Sequence, residues 1–89
     1  MAAIGKYEDI EAWKHARDLT LRTYELFRRS NLQREFGLKD QMTRSALSAM
    51  NNIAEGFGRK GNKEFLRFLS IAQGSAYETQ SMYLSVQVS

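Results

Sequence analysis

One row of polar side chains in the middle of the chain has residue types and a spacing that could support chemistry. Its members lie four, four, three and four residues apart, along one face of a predicted α-helix: Arg44, Ser48, Asn52, Glu55 and Arg59. This polar row holds a single carboxylate, whereas general acid–base catalysis needs a second acid or base beside the first. We interpret the polar row as a hydrogen-bonded seam between helices or subunits, in which Glu55 pairs with Arg59 or Arg44. Ligand or polyanion binding is the alternative.

Positive charge is concentrated where the polar row ends. The chain has a net charge of +3 and an isoelectric point near 9.5. All the basic residues after position 58 fall within nine positions: Arg59, Lys60, Lys63 and Arg67. We call this cluster the basic corner. A compact basic patch predicts contacts with phosphates of a polyanion such as nucleic acid, while the simpler interpretation is a solvated start of a helix.

Aromatic residues flank the basic corner at Phe57, Phe65 and Phe68. Nucleic-acid bases can stack on aromatic rings that lie beside lysine and arginine. Phenylalanines at helical spacing are more often part of a hydrophobic core, and core packing is the interpretation that we favour here. The corner is therefore predicted to act through charge.

Three glycines at the same place, Gly56, Gly58 and Gly61, match the pattern G-x-G-x-x-G. The dinucleotide-binding motif requires a strand before the first glycine, and here a helical pattern precedes it. We interpret the glycines as a turn between two helices. Binding of a phosphate by backbone amides next to Arg59 and Lys60 is the weaker alternative.

Histidine and cysteine usage argues against a metal centre. The chain has no cysteine, and its single histidine, His15, falls on the charged side of the first predicted helix near Glu11 and Asp18. A zinc site needs more ligands than this, and thiol chemistry is excluded. We expect no catalytic residue, no metal and no cofactor, and therefore a protein that is not an enzyme.

Composition and periodicity predict the helices that must position these residues. The 89 residues include no proline and are 43% hydrophobic, which favours long helices in one domain spanning residues 1–89. Helices are predicted at about 10–29, 38–57 and 62–86. On the first, Trp13, Tyr24 and Phe27 have the spacing of core residues. No charged side chain lies at 45–54 or 68–77, so the second and third helices should pack centrally.

The third predicted helix has two unusual features. Gly74 lies in its middle at a cost of roughly 1 kcal/mol relative to alanine, which predicts a close helix crossing at that point. Apolar residues continue to the end, at Tyr83, Leu84, Val86 and Val88. Three helices would leave part of this surface uncovered. We expect a fourth helix, absent or truncated here, or a partner chain, or both.

The sequence resembles a family of small four-helix-bundle proteins encoded in intervening sequences of bacterial large-subunit ribosomal RNA genes. The resemblance covers nearly the whole chain and is carried by these residues: Ala12-Trp13-Lys14, Ala16, Leu19, Glu35-Phe36-Gly37-Leu38, Gln41, Arg44, Asn52-Ile53-Ala54-Glu55-Gly56-Phe57-Gly58-Arg59, Lys63-Glu64-Phe65, Arg67-Phe68-Leu69, Ile71-Ala72 and Gly74-Ser75. It implies an antiparallel up-and-down bundle, ring-like homo-oligomers with the pentamer as the expected state, and no enzyme activity. A more distant similarity is to the accessory proteins of diversity-generating retroelements, which bind nucleic acid.

These expectations combine into one hypothesis about function. We expect an oligomeric all-α bundle that binds RNA or DNA through the basic corner. The alternative is a scaffold that docks a partner protein on the polar row and on the exposed end of the third helix. Residues 1–13 lack an apolar core of signal-peptide length, and no run approaches the roughly 20 apolar residues that cross a membrane, so we expect a cytoplasmic protein without a membrane partner.

Overall fold

Three long helices account for most of the protein. The computed structural model describes residues 5–29 and 31–87, apart from the side chains of Gln33 and Gln87. The helices are α1 (Glu11–Arg29), α2 (Phe36–Gly58) and α3 (Asn62–Gln87), and short 3-10 turns precede α1 and α2 at Tyr7–Asp9 and Asn31–Arg34. The described residues contain no strand, which confirms the all-α antiparallel bundle. α2 begins two residues before the predicted start, because Phe36 and Gly37 join the helix.

α2 is the central element of the bundle. It has extensive contacts with both α1 and α3, whereas α1 and α3 have few with each other. Its buried row is spaced four, three and four residues apart and is at most 3% exposed: Met42, Ala46, Ala49 and Ile53. Small and apolar side chains cover more than half of the surface of α2. The helix can therefore pack against α1 on one side and against α3 on another.

α1 packs one face against α2 and exposes the other. Thr20 and Thr23 lie in the buried face, where their hydroxyls donate hydrogen bonds of 2.8 Å to the carbonyls of Ala16 and Leu19. Phe27 is buried as predicted, and Trp13 packs against the core. The prediction for Tyr24 was wrong, because its ring is 46% exposed at the edge of the apolar face.

The charged face of α1 is held by pairs of opposite charge along the helix. Asp18 pairs with Arg22, and Glu25 pairs with both Arg28 and Arg29. These side chains are mostly exposed to solvent, so each pair adds little to stability. The face stays solvated, as its sequence indicates.

The closest approach of two helices is at Gly56 and not at Gly74. A Cβ atom built on Gly56 would lie 2.6 Å from Cβ of Phe68, nearer than two such atoms can approach. Gly74 has no neighbouring atom within 4 Å of such a Cβ. The prediction of a close crossing at Gly74 is therefore wrong within this chain. Near the end of α2, Phe68 of α3 fills the space that a side chain at position 56 would take.

The two glycines should respond to alanine substitution in opposite ways. Gly56→Ala forces Phe68 out of its position and should lower the free energy of unfolding by about 1–3 kcal/mol. Gly74→Ala adds a methyl group in open space and raises helix propensity, so it should raise the free energy of unfolding by about 0.4–1 kcal/mol. Urea denaturation followed by circular dichroism measures both. A larger loss in Gly74→Ala than in Gly56→Ala would contradict this assignment of the close approach.

Candidate functional site at the basic corner

A three-residue turn positions the basic corner. α2 ends at Gly58, the amide of Arg59 donates to the carbonyl of Gly56 at 3.2 Å, and α3 starts at Asn62. Gly61 has φ of +95°, in the left-handed region that favours glycine, and its carbonyl accepts the first hydrogen bond of α3 from Phe65 at 3.3 Å. The three glycines thus end one helix and turn the chain into the next, as the sequence predicted.

The structure brings the four basic residues to one exposed end of the α2–α3 pair. Arg59 lies 2.7 Å from a carboxylate oxygen of Glu55, and Arg67 lies 3.1 Å from one of Glu64. Lys60 and Lys63 are exposed and have no ion pair with any described residue. The corner therefore contains two arginines that are already paired with carboxylates and two lysines whose charges are unpaired.

A buried aromatic ring lies beneath both arginines. The Cζ atoms of Arg59 and Arg67 are 5.3 and 4.6 Å from the ring centroid of Phe68, within the range of a cation–π contact. Phe68 is only 8% exposed. Phe57 and Phe65 are partly buried against the core cluster. The three phenylalanines thus pack inward, which agrees with the core interpretation, and the exposed surface of the corner consists of charged groups.

The charges in the corner shift the protonation of Glu64. The hydrogen bond from Arg67 is the main cause that lowers the pKa of Glu64 below its usual value of 4.5, and the positive charges of Arg67 and Arg59 lower it further. Lost hydration opposes this shift in part. The same hydrogen bond raises the pKa of Arg67. Glu64 is therefore a stable carboxylate at neutral pH and a lasting partner for Arg67.

The polar row divides into two parts in the structure. Ser48 forms a seam between helices, because its hydroxyl lies 2.9 Å from that of Ser75 on α3, whereas the amide of Asn52 donates to Ser48 Oγ at 3.0 Å within α2. Glu55 pairs with Arg59, as predicted. Arg44 instead pairs with Asp40 at 3.0 Å on the solvent side, where its side chain is 79% exposed.

The most deeply buried part of this seam was not predicted. The hydroxyls of Ser45 and Thr79 are 2.6 Å apart, and the two residues are 4% and 0% exposed. Ser45 Oγ also bonds to the carbonyl of Met42, and Thr79 Oγ1 to that of Ser75. One feature of the sequence could have indicated that Ser45 belongs to the seam. Ser45 lies three residues before Ser48 and therefore on the same side of α2. These hydroxyls satisfy each other, which suits a structural role.

An open groove runs between α1 and α3. Its volume is about 730 Å³, with apolar side chains from all three helices along the floor and His15, Asp18 and Arg22 at the rim on α1. His15 is exposed, as predicted. Within the described residues, no group of three or more histidine, cysteine, aspartate or glutamate side chains could hold a metal ion. The same part of the chain contains no helix that is both long and apolar enough to cross a lipid bilayer.

By its fold and its basic corner, the protein is an elongated all-helical bundle with a basic end. Its described part contains no strand. A family model described as 23S rRNA-intervening sequence protein matches residues 8–88. The chain belongs to this family, which confirms the resemblance seen in the sequence. Comparison with curated proteins and with solved structures finds no match.

The pairing of Glu64 with Arg67 can be tested by titration. A lowered pKa in the folded state means that the pair stabilises the fold above the unfolded pKa and loses this effect as pH falls through the folded pKa. Arg67→Gln removes the donor and the charge, so the pKa of Glu64 should rise towards its usual value. Carboxyl NMR titration measures it, with Arg22→Gln on α1 as a control that should leave Glu64 unchanged. An unchanged pKa in Arg67→Gln would show that Arg67 is not the cause.

Proposed function

We propose that this protein is a non-enzymatic, oligomeric helical-bundle protein that binds nucleic acid, with RNA as the expected ligand, through the basic corner. The observation that carries the proposal is the location of Arg59, Lys60, Lys63 and Arg67 at one exposed end of the bundle, where Lys60 and Lys63 have no ion pair with any described residue. Membership in a family described as 23S rRNA-intervening sequence protein makes RNA the first ligand to test.

Contacts of this kind depend on salt more than on base sequence. Lysine and arginine that neutralise phosphates release condensed counterions, so the logarithm of the affinity falls linearly with the logarithm of the salt concentration. The slope reports the number of phosphates that are contacted. With Phe68 covered, and with Phe57 and Phe65 partly buried against the core, we expect little stacking of bases at the corner. We therefore expect weak, sequence-tolerant binding by a single subunit.

Assembly would strengthen such weak contacts. In a ring of identical subunits, each subunit presents the same corner, and linked contacts gain avidity without any new interaction. The groove between α1 and α3 supports an assembly, because its floor is apolar and open to solvent in the single chain. A homo-oligomer, with a pentamer as the expected form, is part of the proposal, as is a cytoplasmic location.

The direct test is binding to a labelled ribosomal RNA fragment across a salt series. A variant with the four corner residues replaced by alanine should lose affinity and most of the salt slope while keeping its oligomeric mass. A matched control removes the same charge from exposed positions elsewhere: Arg17, Arg22, Lys39 and Arg44. The control should lose much less affinity. Equal losses in the two variants would show that only net charge matters, and no binding by the native protein at low salt would refute the proposal.

A scaffold for a partner protein is the second candidate function, and one surface favours it. An uncharged line of exposed residues runs along α3 with the alternating four- and three-residue spacing of a coiled-coil seam: Leu66, Ser70, Gln73, Tyr77, Gln80 and Leu84. We call this line the α3 row. Its three large side chains are 61–62% exposed. A line of this length without charge is typical of a helix that packs against another chain.

Solution mass tests whether the α3 row is a contact between subunits or partners. The double variant Tyr77→Glu, Leu84→Glu places charges in the row and should reduce the assembly to a monomer of about 10.2 kDa, the mass of the chain. The matched control Leu21→Glu, Tyr24→Glu changes exposed apolar residues on α1 and should keep its assembly. Light scattering after size-exclusion chromatography measures both. An assembly that survives the α3 changes would remove this surface from consideration.

A further inference from the structure

Five side chains at the basic corner form one connected arrangement. Glu55 bonds to Arg59, Arg59 lies over one side of Phe68, Arg67 lies over the same ring, and Arg67 bonds to Glu64. Glu55 lies in the last turn of α2, Arg59 directly follows that helix, and the other three come from the first turns of α3. We call this arrangement the arginine clamp, because it joins the two helices across the turn.

The position of the ring in the arginine clamp is fixed by packing. Phe68 lies against Gly56, with no space for a Cβ atom between the two residues, and is almost completely buried. A ring held in this way presents a constant surface to both guanidinium groups. The two arginines are therefore held between a fixed ring on one side and a carboxylate on the other.

Because Arg59 and Arg67 are paired with glutamates, they are less available to bind a phosphate. Each arginine–glutamate pair has no net charge, and a phosphate must compete with a carboxylate that is attached to the same chain at a high local concentration. Arg59 bonds to Glu55 through Nη2, and Arg67 bonds to Glu64 through both Nε and Nη2. Lys60 and Lys63 face no such competitor among the described residues. The four basic residues of the corner are thus not equivalent.

We propose that Lys60 and Lys63 are the primary phosphate contacts of the basic corner, and that Glu55 and Glu64 restrain its affinity by holding Arg59 and Arg67 in the arginine clamp. The ligand is the phosphate backbone of a nucleic acid. This inference rests on the proposed function and assigns different roles to residues that the sequence could only treat as one cluster. Removal of the two carboxylates releases two further charges and doubles the number of phosphate contacts.

The test compares three double variants with the native protein on one labelled ribosomal RNA fragment across a salt series. Glu55→Gln with Glu64→Gln should steepen the salt slope about twofold and raise the affinity at least about tenfold near 0.1 M salt, since two contacts become four. Lys60→Ala with Lys63→Ala should abolish most binding. Arg59→Ala with Arg67→Ala should weaken binding far less and should instead lower the midpoint of thermal unfolding, because the clamp that joins α2 to α3 is lost.

A matched control separates release of the arginines from a simple gain in net charge. Asp18→Asn with Glu25→Gln also removes two carboxylates that pair with arginines, but on α1. This control should leave the salt slope nearly unchanged. An equal gain in the control and in the Glu55, Glu64 variant would overturn the inference, as would a greater loss of binding from the arginine changes than from the lysine changes. If the native protein does not bind RNA even at low salt, the proposed function fails and the inference fails with it.

Discussion

The close approach of α2 and α3 at Gly56 is the constraint on which the rest of the structure depends. Because position 56 has no side chain, Phe68 can lie directly against the backbone of α2. This contact sets the separation of the two helices at the turn and fixes the ring that both Arg59 and Arg67 cover. The geometry of the basic corner thus depends on the absence of a side chain at position 56, near the end of α2.

Further along the same interface, short polar side chains maintain the close packing. Ser45 meets Thr79, and Ser48 meets Ser75, through hydroxyl pairs of 2.6 and 2.9 Å. Small residues let the helices approach, and paired hydroxyls avoid the cost of burying an unsatisfied polar group. Hydrogen bonds also depend on direction, so a shift of α3 along α2 would break both pairs at once. The seam therefore fixes the register that the apolar core alone would leave less defined.

The charged residues on α1 and those at the basic corner have different roles. On α1 most of the exposed charges are paired within the helix, and these pairs contribute little to stability. At the basic corner, pairing is incomplete, because two carboxylates serve four basic residues. Family membership by itself does not give a function, which has to be argued from such a site, since one fold can host many functions.

The sequence by itself determined the all-α class, the approximate helices, the central packing of α2 and the glycine turn, because helical periodicity and the backbone freedom of glycine are local properties that can be read from the order of residues. The four basic residues and the carboxylates that pair with two of them are also close in sequence, since each pair joins residues three or four positions apart. Only the tertiary structure decided which glycine lies at the close approach, which hydroxyls meet across α2 and α3, and that Phe68 lies beneath both arginines. Gly56 and Gly74 look alike in the sequence, and they differ only in what the neighbouring helix brings to them.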